Sequence, residues 1–146
     1  MSEPIRLLDA NVLVALAVDA HIHHAAAHVA LTGFGGGWAT CPTTESALLR
    51  LLLNPLVTGR PVPGSEALAV LSGIRSQPSW HFIDDRSSLA AAGIDPTPLV
   101  GSKQVTDFHL VNLAAGNDSV LATFDGRIPA ALSPADRHHV EVITDR

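Results

Sequence analysis

The chain has 146 residues, 47% of them hydrophobic, with 14 Asp and Glu against 9 Lys and Arg, and a mean hydropathy of +0.27. Such a composition suffices for one domain with a buried core and excludes a disordered chain. A single cysteine excludes an internal disulfide framework, and a net charge of −5 carried with singly scattered cations excludes the broad basic footprint of a general nucleic-acid binder.

Ile5 to Leu8 is a short apolar run closed by Asp9, and the Leu/Val/Ala-rich stretch after it, to about Val18, has helical character. Glu3 and Arg6 precede this run and Asp9 and Asn11 break it, so neither a secretory signal nor a membrane span fits, and a reducing cytoplasm is the expected location. A helix from His21 to about Leu31 should stop at the Gly33 to Gly37 tract. Trp38 to Cys41 reads as a buried strand with Cys41 packed inside, and Thr43 or Thr44 can cap a helix that runs to about Leu53. Asn54 to Pro63 reads as a turn-rich linker. Ser65 to about Ser76 is a further helix, Trp80 to Ile83 a strand, and Ser87 to Ala92 a short helix that Asp84 and Asp85 could cap. Gly93 to Ser102 is expected to be a loop, with a helix from about Gln104 to Ala115 behind it. Ser119 to Phe124 is a strand closed by Asp125, a short helix follows Gly126, and Val140 to Ile143 is a last edge strand. Strands alternating with helices imply an α/β fold, a three-layer α/β/α arrangement around a mostly parallel sheet of four to five strands.

Four acids stand out against this pattern. Ligand sites of open parallel sheets lie at the carboxyl ends of the strands, where the following helices begin. Asp9 and Asp125 close strands there. Glu45 heads Leu48, Leu49 and Leu52 at i+3, i+4 and i+7, and Asp107 heads Leu110, Val111 and Ala114 at the same offsets, which puts both on core-facing stripes where a solvated acid has no reason to be. Four carboxylates at one edge repel one another unless a cation is bound. Oxygen donors without a neighbouring Cys or an HExxH pair favour Mg²⁺ or Mn²⁺ over zinc. Taken singly, each acid also has an ordinary reading as a helix cap or a partner of the helix dipole.

Other features weigh less. His21, His24 and His28 share a helix face but have no interleaved acid. His109 is close to Asp107 in sequence yet faces elsewhere on a helix. The glycine tract lacks the GxxxxGK[ST] pattern of a phosphate cradle. Arg50, Arg86, Lys103 and Arg127 are the candidates for phosphate contact, with a solvated surface role as the alternative for each.

Four segments together resemble the PIN-domain family, specifically the VapC-like ribonuclease toxins of type II toxin-antitoxin modules: LLDANVLVAL with Asp9, WATCPTTESALLRLL with Glu45, LVGSKQVTDFHLVNLA with Asp107, and VLATFDGRI with Asp125. The resemblance spans nearly the whole chain and implies a single PIN-like domain over residues 1–146. It implies that Asp9, Glu45, Asp107 and Asp125 are the catalytic acids and hold Mg²⁺ or Mn²⁺, with Asn11 and Thr123 supporting them by hydrogen bonds. The activity implied is metal-dependent endoribonucleolysis, in which activated water cleaves a phosphodiester to leave a 5′-phosphate and a 3′-hydroxyl. Expected partners are an RNA substrate, a cognate antitoxin that covers the site and a second copy of the chain, with no membrane and no DNA bound by this chain alone. Two alternatives are a PIN-like module that binds RNA or protein without catalysis, and a phosphotransferase of the haloacid-dehalogenase type. The second wants an acid two residues after Asp9, where the chain has Asn11.

Overall fold

The computed structural model describes residues 3–145. Its strands are β1 (Arg6–Leu8), β2 (Trp38–Thr40), β3 (Trp80–Phe82), β4 (Val120–Thr123) and β5 (Val140–Val142), and its helices are α1 (Ala10–Ala17), α2 (His24–Thr32), α3 (Pro42–Leu52), α4 (Pro55–Thr58), α5 (Gly64–Arg75), α6 (Val105–Gly116) and α7 (Arg127–Ala131). The strands form one sheet in the order β3-β2-β1-β4-β5, and every pairing is parallel, with Leu7 beside Ala39 on one side and Leu121 on the other. The sheet is thus five-stranded and parallel throughout, as the expectation of a mostly parallel sheet of four to five strands requires. Val140–Val142 lies at one edge, as its sequence position suggested.

Alternation along each strand sorts the core into two layers. Leu7, Ala39 and Leu121 point to one face, where they pack with Phe108, Leu110, Leu113 and Ile128 from α6 and α7. Leu8, Trp38 and Ala122 point to the other, against Val12 and Leu13 of α1, Ala27 of α2, Leu48 of α3 and Ala67 of α5. A period-2 strand with two apolar faces must be covered on both, and burying each of these leucines contributes about 1.5–3 kcal/mol. The chain runs outward through β1, β2 and β3, then crosses back to place β4 on the free side of β1. The direction of winding therefore reverses between β1 and β4, which is where such sheets open a crevice at their carboxyl ends.

Several boundaries differ from the sequence reading. Cys41, rather than Thr43 or Thr44, is the N-cap of α3; Pro42 takes the first helical position, and the Thr44 hydroxyl receives the Cys41 N–H at 3.0 Å. The supposed linker holds α4, started by the Asn54 side chain accepting from Leu56 N–H. The helix expected over Ser87 to Ala92 is one 3₁₀ turn, Leu89–Ala91, capped by Ser88 and not by Asp84 or Asp85. Helix α2 begins only at His24. The rings of His24 and His28 lie against the carbonyls of Ala15 and Leu16 at 2.8 and 3.3 Å, so both residues serve the open end of α1, whose last carbonyls have no partner within the helix. Gly37 stands at φ +85, and a Cβ there would come within 2.8 Å of the Ser79 carbonyl, so the glycine permits both the turn and the close approach of β3.

Candidate active site

Asp9 follows β1 and caps α1. Its Oδ1 receives the Ala10 N–H at 2.8 Å and its Oδ2 the Thr123 hydroxyl at 2.8 Å. Thr123, the last residue of β4, also accepts from the Asn11 amide at 3.0 Å and from the Asp125 N–H at 3.1 Å, and the Asn11 carbonyl receives the Phe124 N–H at 3.2 Å. Every hydrogen-bonding capacity of the Thr123 hydroxyl is thereby used. This clamp straddles the crevice between β1 and β4 and carries Asp9, Asn11, Thr123 and Asp125 in one hydrogen-bonded group.

Asp107 enters from the first turn of α6 and faces a cleft of about 260 Å³ lined by Lys103, Asp125, Arg127 and Ile128. Its pKa is pushed up to about 6, first by burial and then by the negative charges of Asp9 and Asp125, against only the charge of Arg127. Burial also raises the pKa of Asp9, more than its hydrogen bonds from Thr123 and Ala10 lower it. Asp125 goes the opposite way because Arg127 grips it, Nε to Oδ1 and Nη2 to Oδ2, both at 3.0 Å. Three carboxylates thus press on one another at the winding reversal, with one partly neutralised from within the chain. Such an arrangement favours a cation at the shared position.

Glu45, in the first turn of α3, does not join that repulsion. Its Oε2 receives the Thr40 hydroxyl at 2.6 Å and an Arg75 Nη1–H at 2.7 Å, and its side chain is only 13% exposed. The Thr40 hydroxyl accepts the Trp80 indole N–H at 2.9 Å, and the Arg75 guanidinium lies over Trp80 and Phe82 at 4.4 and 4.8 Å from their ring centres. The sequence reading missed Arg75; what could have revealed it is its place at the end of α5, a turn before the Trp-x-Phe strand that flanks Thr40.

Of the four cations considered for phosphate contact, Lys103 and Arg127 line the cleft of Asp107. Arg86 is exposed and paired with Asp84 at 2.8 Å, and Arg50 is exposed in the last turn of α3, at the other end of that helix from Glu45. His109 turns away from the acids and meets Asp85 at 2.5 Å.

An oxygen-only donor set with mutual repulsion has the chemistry for a hard divalent ion. Among the described residues, no three acidic, His or Cys side chains are drawn close enough to chelate one as they stand; Arg127 holds Asp125 and Arg75 holds Glu45.

A parallel α/β domain with clustered acids at its winding reversal defines a class of candidate metal-binding sites, and relatives narrow it. No protein-family model matches the chain. Ribonuclease VapC38 of Mycobacterium tuberculosis is 40% identical over 140 residues, covering 94% of this chain and 97% of that protein. Ribonuclease VapC29 of the same organism is 40% identical over 119 residues, covering 82% and 84%. The crystal structure of M. tuberculosis VapC20, a toxin that cleaves the sarcin-ricin loop, superposes with a TM-score of 0.60 at 15% identity over 86% of this chain and 93% of that one. The chain belongs to the VapC ribonuclease family, as the four motifs implied.

Proposed function

We propose that this VapC ribonuclease is the toxin of a type II toxin-antitoxin pair and that its cleavage of RNA depends on Mg²⁺ or Mn²⁺. What supports the metal dependence is the gathering of Asp9, Asp107 and Asp125 at one sheet edge, where burial and their mutual repulsion push the Asp107 pKa up to about 6 and a cation would relieve both. Asp9, Asp107 and Asp125 are the acids that would hold the ion, with Glu45 completing the set from α3. When bound, a divalent ion supplies activation of water and stabilisation of the leaving oxygen. The chain's own groups do the rest. Thr123, itself held by the Asn11 amide, fixes the carboxylate of Asp9, and Lys103 and Arg127 offer positive charge to a phosphate that enters the cleft of Asp107. Attack of water on phosphorus with departure of the 3′-oxygen leaves a 5′-phosphate and a 3′-hydroxyl, with no role for the ribose 2′-hydroxyl.

Among the described residues no helix is long and apolar enough to cross a membrane. We further propose a cytoplasmic location, a cognate antitoxin that covers the site, a homodimer, and no binding of DNA by this chain alone. Asp9→Ala and Asp107→Asn should each lower Mn²⁺-dependent cleavage of RNA by on the order of 10²–10³-fold or more while the circular dichroism spectrum is unchanged, and EDTA should abolish it reversibly. Full activity in either variant, or a 2′,3′-cyclic phosphate at the product end, overturns the mechanism.

A further inference from the structure

The acids and their clamp account for cleavage but leave open how an acidic protein holds RNA. Six aromatic residues other than histidine are present. Phe34, Trp38 and Phe108 are in the core, and Phe124 stacks on His23 at 4.4 Å. Phe82 is the exposed one among the described residues, at 42%. It is the last residue of β3 and lies beside Thr40, the last residue of β2, so it stands on the same carboxyl edge as the acids.

What makes the ring more than a stray apolar group is its neighbour. The Arg75 guanidinium lies over both Phe82 and Trp80, and its Nη1 is fixed by Glu45, which is itself fixed by Thr40. The guanidinium is therefore held in both plane and rotation, while the Arg75 side chain keeps 39% of its surface exposed. A guanidinium laid over an aromatic ring, with both side chains still partly exposed, offers flat faces on which an unpaired nucleobase can stack. A protein partner would need only the apolar surface of Phe82; the held plane of the guanidinium favours a nucleobase.

We propose that Arg75 and Phe82 form a stacking platform for one unpaired base of the RNA substrate, placed across Thr40 and Glu45 from the coupled acids. The platform selects single-stranded loops over continuous duplex, because a paired base cannot present its face to it. This rests on the ribonuclease reading above.

The test measures fluorescence anisotropy in EDTA, with an RNA hairpin that carries an unpaired loop and a fully paired duplex of the same stem. Phe82→Leu keeps apolar area but removes the ring, and it should weaken hairpin binding about tenfold while duplex binding stays within twofold. Phe82→Trp should restore the wild-type hairpin affinity, and Arg75→Lys, which keeps charge but not the plane, should weaken it severalfold. Hairpin affinity unchanged in Phe82→Leu, alongside normal Mn²⁺-dependent cleavage, overturns the platform alone and leaves the exposed ring to a protein partner. An equal loss on hairpin and duplex also overturns it. A wild-type chain that neither binds these RNAs nor cleaves RNA in Mn²⁺ overturns the ribonuclease reading itself.

Discussion

The two sides of the sheet edge solve the problem of a buried acid in opposite ways. On the β1–β4 side, Asp9, Asp107 and Asp125 face one another, and burial with mutual repulsion raises two of the three pKa values. On the β2–β3 side, Glu45 has its own arginine and its own hydroxyl donor. A carboxylate with two charge-assisted or hydroxyl partners is content without further charge, whereas a repelling group stores a standing demand for a cation. The comparison sharpens the metal dependence proposed above: a divalent ion would act first at the three aspartates, with Glu45 responding afterwards.

Divalent binding should show this difference most strongly. Mn²⁺ at about 100 times its dissociation constant should stabilise the wild-type chain by about 2.7 kcal/mol against urea; Asp107→Asn should lose most of that gain and Glu45→Gln should keep most of it. Equal losses in the two variants would erase the distinction between the two sides. A smaller effect is expected from Thr40→Val, which strands the Trp80 indole N–H and removes one donor to Glu45. It should cost about 1–2 kcal/mol in urea unfolding while leaving the Mn²⁺ gain intact.

The smallest effect concerns pH. A carboxylate whose pKa is raised in the folded state costs stability in full above that value and recovers it as the pH falls toward the unfolded value. In EDTA, wild-type stability should therefore improve as pH drops through about 6, the value for Asp107, apart from what other groups contribute. Asp107→Asn should exceed wild type by about 1 kcal/mol at pH 8, a figure reduced for the partial exposure of the group, and the two should converge near pH 4. A constant offset across this range would show that the acid is not strained.

Much of this arrangement could be read before any coordinates. Asp9 and Asp125 interrupt apolar runs at strand ends, and a charge at that register must emerge at the carboxyl edge. Asp107 heads an apolar stripe, and in the fold it opens on the cleft that Asp125 also lines. What could not be read depends on residues distant in sequence that meet through the fold. Arg75 reaches Glu45 across 30 residues, and its one signal, a place at the end of α5 just before the Trp-x-Phe strand, gives no hint of the carboxylate it meets. Cys41 displaced the threonines as a cap because Pro42 takes the first helical position without needing an N–H. His24 and His28 share a helix face in the sequence, but only the fold brings the end carbonyls of α1 to them.

The hydrogen bond between Thr123 and Asp9 spans 114 residues. A ribosome adds roughly 5–20 residues each second, so Asp9 leaves the tunnel many seconds before Thr123 exists to orient it. For that interval the emerging chain carries only part of its acid cluster. The order of strands in the sheet thus acts as a delay, and a message broken before its final quarter would yield fragments with their first acid but without the clamp that aims it.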